Sequence, residues 1–193
     1  MQIDADSRFL WRFPPRRLEA ESIRDSVVSV SGSMNPQMGG PGFSAFEIQF
    51  ENVRHYFPRK SFGPTEWRRM VYMTKVRQER ESTFGAFDCP DGSQVIPDRG
   101  RSTTPLQALN LFNSLFMMQQ ADILAKRIDK ETLIHVREKQ QLTYAKIQKA
   151  YQLCYSRKPS ARELSNALGF IDKHGMTQFC RAMLNSNEFL FIP

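Results

Sequence analysis

Asp88 and Asp91 stand three residues apart in FDCPD, a proline-containing turn. Two carboxylates with neighbouring backbone carbonyls could hold a hard cation such as calcium. The same carboxylates could instead meet Arg69, Arg77 or Arg99, because guanidinium forks pair with carboxylates bidentately. A third reading is an Asx-type turn fastened by one structural Asp–Arg pair. As a glycoside hydrolase the block would need two carboxylates flanking a cleft roughly 5–10 Å apart, and a spacing of three in a turn does not specify that. Asp88, Asp91, Arg69, Arg77 and Arg99 are thus the candidate ligand-binding residues, with a carbohydrate-active or cation-dependent hydrolase as the enzymatic alternative.

The other chemistry-bearing residues are more scattered. Cys89, Cys154 and Cys180 form no CxxC, no CxxCH haem-attachment motif and no zinc-finger spacing, which excludes a covalently held c-type haem in this chain. Cys154 and Cys180 are read as ordinary buried thiols, with a disulfide between them conceivable in an oxidising compartment. His55, His135 and His174 make no HxxxH or HExxH pair on one helical face. In RRLEAESIRD, helical spacing sets Arg17, Glu21 and Arg24 on one face, where they are expected to form a ladder of ion pairs. MGGPG (38–42) matches neither a P-loop nor a dinucleotide fingerprint, so Gly39 and Gly40 are read as a tight turn.

Charge and aromatic content bound the partners. The chain has 27 basic and 20 acidic residues, a net charge of +7. Its densest basic window, 52–80, interleaves eight basic residues with His55, Tyr56, Phe57, Phe62, Trp67 and Tyr72. Those are the ingredients of a stacking and phosphate-binding surface, but no nucleic-acid motif accompanies them. Polyanionic polysaccharide is the better match to the same electrostatics. The basic stripe Lys126, Arg127, Lys130, Arg137, Lys139, Lys146 and Lys149 could meet an acidic partner surface, or simply be a solvated helix face.

These residues must be positioned by recognisable elements. Ala20, Ile23, Val27 and Val30 recur at helical spacing and Gly32 follows as a stop, predicting a helix over 18–30. Residues 36–103 hold most of the Gly and Pro, which argues for loops and short strands. Phe46, Ile48 and Phe50 alternate with Glu47 and Gln49, predicting one strand; residues 69–76 alternate less cleanly and are expected to form a second. Thr104-Pro105-Leu106-Gln107 combines an N-cap, a proline at the first helical position and a capping-box glutamine. Asn113-Ser114 interrupts that helix, and Met117, Ala121, Leu124 and Ile128 begin the next stripe. Ile147, Ala150, Tyr151 and Cys154 mark another, Ser160 and Glu163 repeat the capping box, Gly175 stops that helix, and a short one runs over 177–184. The terminal NSNEFLF is expected to dock on the body of the domain, with Glu188 capping or pairing internally.

With 40% hydrophobic and 24% charged residues, a chain of this size can bury a core without disulfides or metals. The expected architecture is a predominantly helical α+β fold in a single domain over 1–193. It comprises an N-terminal helix (1–35), a loop-rich insert with a small β-sheet (36–103) and a C-terminal helical bundle of about five helices (104–193). No apolar run approaches the roughly 20 residues that span a bilayer. The opening MQIDADSRFL is too polar for a signal peptide, which leaves a cytoplasmic location open for the chain taken alone.

Several segments carry a resemblance. DSRFLWRF (6–13), RRLEAESIRD (16–25), VSGSM (30–34), MGGP (38–41), RRMVY (68–72), FDCPD (87–91), TTPLQALNLFNS (103–114), SRKPSARE (156–163) and LNSNEFLF (184–191) stand in an order that resembles the planctomycete-specific C-terminal domain of unknown function accompanying planctomycetal-type cytochrome c modules. The family often has a proline after the Asn-Ser pair and a glycine before Arg-x-Pro, where this chain has Leu115 and Ser156. The resemblance implies the C-terminal portion of a larger, exported parent protein, periplasmic or extracellular. It also implies upstream domains or a haem-containing partner, for which this chain would be a docking domain. It implies no reaction. No catalytic triad, metal cluster or cofactor motif is present, so the expected function is a non-catalytic ligand-binding or protein-interaction module.

Overall fold

The computed structural model describes residues 8–9, 15–77, 79, 81, 83–90, 92–100, 102–133 and 139–192. Among these the chain forms a predominantly helical α+β fold whose centre is a long helix, α3 (Leu115–Leu133). Phe116, Met117, Ala121, Leu124, Ala125 and Ile128 make its buried stripe. Against it pack α1 (Ala20–Ser31) through Ile23, Val27 and Val28, and α6 (Met176–Leu184) through Phe179, Cys180, Met183 and Leu184. α4 (Lys139–Tyr155) adds Ile147, Ala150 and Tyr151 to the same core.

The helix boundaries follow local signals. Gly32, left-handed at φ 80°, closes α1 by donating back to Ser29 O and Val28 O. Both capping boxes form as expected, at Thr104/Gln107 for α2 (Pro105–Asn113) and at Ser160/Glu163 for α5 (Ala161–His174). The break between α2 and α3 persists with Leu115 in place of proline, because Ser114 turns to extended backbone and its hydroxyl accepts from Met117 N at 3.1 Å. A one-turn helix, α7 (Asn187–Leu190), extends the bundle to six helices where about five were expected. Its Phe189 and Leu190 are buried, so the C-terminal stretch docks as anticipated.

The strands are more dispersed than the sequence suggested. They make three separate two-stranded pairings in place of one small sheet. β3 (Phe46–Phe50) is the strand that alternation indicated, and it pairs antiparallel with β4 (Arg54–Pro58), which periodicity did not reveal. The expected second strand over 69–76 shrinks to β5 (Met73–Thr74), parallel to β2 (Phe43–Ser44), because Met70–Tyr72 is wound into a 3-10 turn. β1 (Arg16–Arg17) pairs with β6 (Phe191–Ile192). Arg16 and Arg17 therefore precede α1 in extended backbone, and Arg17 shares no helical face with Glu21 and Arg24.

Two arginines are held by many acceptors, one by backbone carbonyls and one by carboxylates. Arg68, 5% exposed, donates to the carbonyls of Gln37, Gly39 and Pro41, and its guanidinium lies 4.0 Å above the Tyr72 ring. The turn at Gly39 and Gly40, both at positive φ, thus surrounds a cation with carbonyls. Arg157 bridges Glu163 (2.7 and 2.9 Å) and Glu188 (2.6 and 2.7 Å) beside the rings of Tyr151 and Tyr155, which realises the expected internal pairing of Glu188.

The hydrogen bonds from Arg157 and from Ser160 hold the Glu163 carboxyl down at about 2 against an ordinary 4.5. Between those values the unfolded chain binds a proton that the folded chain does not, so the stabilisation is present above pH 4.5 and fades as pH falls towards 2. Melting curves at stepped pH are expected to show a shallower acid decline for Glu163→Gln than for wild type. Ser156 occupies left-handed backbone at φ 56°, which a side chain resists and glycine accepts. Ser156→Gly is expected to stabilise the chain by about 0.5–1 kcal/mol, a rise in Tm of roughly 1–4 °C, readable by calorimetry.

Candidate functional site

Asp88 lies in a left-handed turn at φ 57°, a conformation Asp tolerates better than most residues. Its carboxylate accepts from Arg17 Nη2 at 2.9 Å, from Ser102 N at 2.8 Å and from Ser102 Oγ at 2.9 Å. Gln107 Nε2 in turn donates to Ser102 Oγ at 2.9 Å and to Ala86 O at 3.0 Å. The arginine that meets Asp88 is therefore Arg17, and none of Arg69, Arg77 or Arg99. The carboxylate ties strand β1, the 88 turn and the start of α2 together, the structural alternative weighed from sequence. Asp91 lies outside the described residues. Arg77 is exposed.

Arg69 and Arg99 do come together, in a different place. An open cleft of about 670 Å³ runs between the first turns of α1, residues 69–75 and the loop 90–99. Glu19 and Glu21 at the start of α1 sit where the helix dipole favours negative charge. Arg99 Nη1 donates to both, at 3.0 and 2.9 Å. One turn further, Asp25 accepts from Arg69 Nε at 3.2 Å and from Met70 N at 2.7 Å. Lys75, which also lines the cleft, donates through Nζ to Cys89 Sγ behind it at 2.9 Å, and that sulfur is 3.7 Å from Glu21 Oε1. The expected Arg17–Glu21–Arg24 ladder is not formed: Arg17 takes Asp88, Glu21 takes Arg99, and Arg24 turns inward to backbone carbonyls.

Electrostatics fix the protonation states in this cleft. Burial pushes the Glu21 carboxyl up, but hydrogen bonds from backbone and Arg99, with the charges of Arg99 and Lys75, leave it below its ordinary value. The hydrogen bond to Glu21 holds the Arg99 proton more tightly still. Burial raises the Cys89 thiol despite the contact with Lys75, so it is protonated at neutral pH and is not primed as a nucleophile. The cleft therefore presents fixed carboxylates and cations beside the buried Met70 and the exposed Val71. It can bind a polar ligand by charge and hydrogen bonds.

Sequence reading reached Arg69, Arg99 and Glu21 but missed Glu19, Asp25, Lys75 and Cys89 as members of one site. Glu21 and Asp25, at i and i+4 on one face of α1, were the available signal.

The remaining features are self-compensated. Lys126 pairs with Asp122, Arg127 with Glu131, Lys146 with Asp129 and Lys149 with Glu131, so much of the basic stripe is neutralised within the bundle; Arg137 lies outside the described residues. Cys154 and Cys180 are free thiols, both raised by burial. Among the described residues no group of three or more His, Cys, Asp and Glu converges on a point that could hold a metal, and no helix is long and apolar enough to cross a membrane. In the 52–80 window Tyr56, Phe62 and Tyr72 pack on the core, whereas Phe57 is exposed.

No curated protein and no solved structure matches the chain. A family does match, over residues 1–171. On that extent the chain belongs to PSD1, a family of proteins of unknown function (DUF1553).

Proposed function

We propose that this chain is a non-catalytic ligand-binding module of an exported multidomain protein, planctomycetal in type and associated with cytochrome c modules, and that its ligand surface is the Glu21–Arg99 cleft. The location and the companion modules rest on the resemblance carried by the sequence blocks. The binding role rests on one observation: Arg99, Arg69 and Lys75 are held in an open cleft by Glu19, Glu21, Asp25 and Cys89, from segments far apart in the chain. Exposed ion pairs of this kind contribute little to stability, so their convergence is better accounted for by a ligand than by folding. Interleaved carboxylates and guanidinium groups suit a hydroxyl-rich polymer with some negative charge, which makes polysaccharide the class to test.

The experiment is a thermal-shift titration with neutral polysaccharide, sulfated polysaccharide and calcium at low and high salt. A ligand at 100 times its Kd adds about 2.7 kcal/mol to stability. The reading expects a shift with a polysaccharide that persists in salt and is lost in Arg99→Ala, a variant whose exposed side chain leaves folding intact. Absence of any shift, or a shift unchanged in Arg99→Ala, overturns it.

A further inference from the structure

A small, half-open cavity of about 180 Å³ lies between residues 59–62, residues 81–83 and the junction of α2 with α3. Gln119 Nε2 donates to Phe62 O at 3.0 Å and so fastens the first of these segments to α3. Arg59 brings an unmet donor to the lining. Its Nη1 donates to Glu66 Oε1 at 3.3 Å, whereas its Nε is buried and has no partner among the described residues. The Asn110 amide lines the same cavity and also makes no hydrogen bond among the described residues. Buried donors are rarely left unmatched, because the hydration they lose has to be replaced. A single water does not fill the space, which is several times what one water occupies.

We propose that this cavity binds a single uncharged sugar ring. Charges of both signs stand in the lining, and each is already compensated. Glu66 faces Arg59, while the Glu81 carboxylate accepts from Phe84 N and lies in the field of the buried Arg24. An ionised ligand would therefore enter without a counter-charge. Each sugar hydroxyl both donates and accepts, which suits a lining of guanidinium, amide and carboxylate groups. Phe62 and Phe116, edge to face at 6.2 Å, supply an apolar wall for the C–H face of the ring. Size sets the limit at one ring, since the cavity falls below the roughly 300–1,000 Å³ of drug-sized sites. None of these lining residues borders the Glu21–Arg99 cleft, so this site is additional to that surface and stands or falls without it.

Saturation-transfer NMR on the whole chain with D-glucose, D-galactose, D-mannose and N-acetyl-D-glucosamine tests this. At least one of them is expected to bind with a Kd on the order of millimolar, as suits a ligand of about a dozen heavy atoms. D-glucuronate and D-glucosamine are expected to bind at least tenfold more weakly than the best neutral sugar. Asn110→Leu removes an amide that the fold does not use, so it is expected to weaken binding tenfold or more with an unchanged melting profile. Arg59→Met is expected to weaken binding to a similar degree, and Arg99→Ala to bind the sugar as wild type does. No response to any of the four neutral sugars overturns the proposal. Tighter binding of the charged sugars, or an affinity within threefold of wild type in Asn110→Leu, overturns it as well. A response that Arg99→Ala abolishes and Asn110→Leu spares would put the sugar in the cleft, which sinks this site and leaves the cleft reading intact.

Discussion

Arg24→Ala is expected to cost about 3–5 kcal/mol, a large part of the 5–15 kcal/mol that holds a typical domain folded. Arg24 is 2% exposed. Nη1 donates to Arg68 O and Nη2 to Glu66 O, both at 2.6 Å, while the guanidinium lies over the rings of Phe43 and Phe116 at 4.9 and 5.4 Å. Alanine would leave two carbonyls without their charged donors, at roughly 1–3 kcal/mol each where they are buried, and a cavity between two aromatic rings. Burial lowers the Arg24 proton affinity to about 10, with Asp25 and Glu81 pulling the other way. A folded value below the unfolded one means that the cost of holding the charge inside is carried in full below pH about 10, where the wild type nonetheless keeps it. Urea denaturation of Arg24→Ala and Arg24→Lys checks the account. Lysine is expected to recover a minor share, because one ammonium cannot reproduce the fork. A loss below about 1 kcal/mol for alanine would show that the carbonyls find other donors.

Asp88→Asn is expected to cost about 2–4 kcal/mol, the second largest effect of a single substitution here. The Arg17 side chain is 7% exposed, its Nε and Nη1 are buried without partners among the described residues, and its remaining nitrogen donates to Asp88. Asparagine tolerates the left-handed backbone of residue 88, so the loss isolates the charge compensation. The double variant Arg17→Met with Asp88→Asn is expected to regain part of that loss, since replacing both members of a buried pair costs less than stripping one. Denaturation midpoints of the two single variants and the double variant give the coupling directly. Any polysaccharide response is expected to survive in Asp88→Asn, because the Glu21–Arg99 cleft is bounded by other residues. A variant that kept wild-type stability and lost ligand binding would return Asp88 to the role of a site residue.

The legible parts of this chain were those whose causes are local. Thr104 with Gln107, Ser160 with Glu163, and Gly32 after Val30 bounded helices within a residue or two, because a cap is satisfied by backbone three or four positions away. The helical stripes on α1, α3 and α4 identified the core, since a 3.6-residue period is a statement about one element and its buried side. Phe46 to Phe50 were recognisable as a strand for the same reason.

Pairings across the chain were decided only by tertiary structure. Two-residue strands such as β1, β2, β5 and β6 have no period to read and exist only because another segment lies alongside them. Arg17 and Glu21 fit a helical ion pair by spacing, yet strand pairing with residues 191–192 draws Arg17 out of the helix and delivers it to Asp88, 71 positions away. Arg99 reaches Glu21 across 78 positions. The sequence thus determined the helices, the core faces and the supply of charged residues, all matters of short-range geometry. Which guanidinium meets which carboxylate, and hence where the cleft lies, was left to the packing, because several arginines compete for each carboxylate with nearly equal intrinsic affinity and only long-range contacts choose among them.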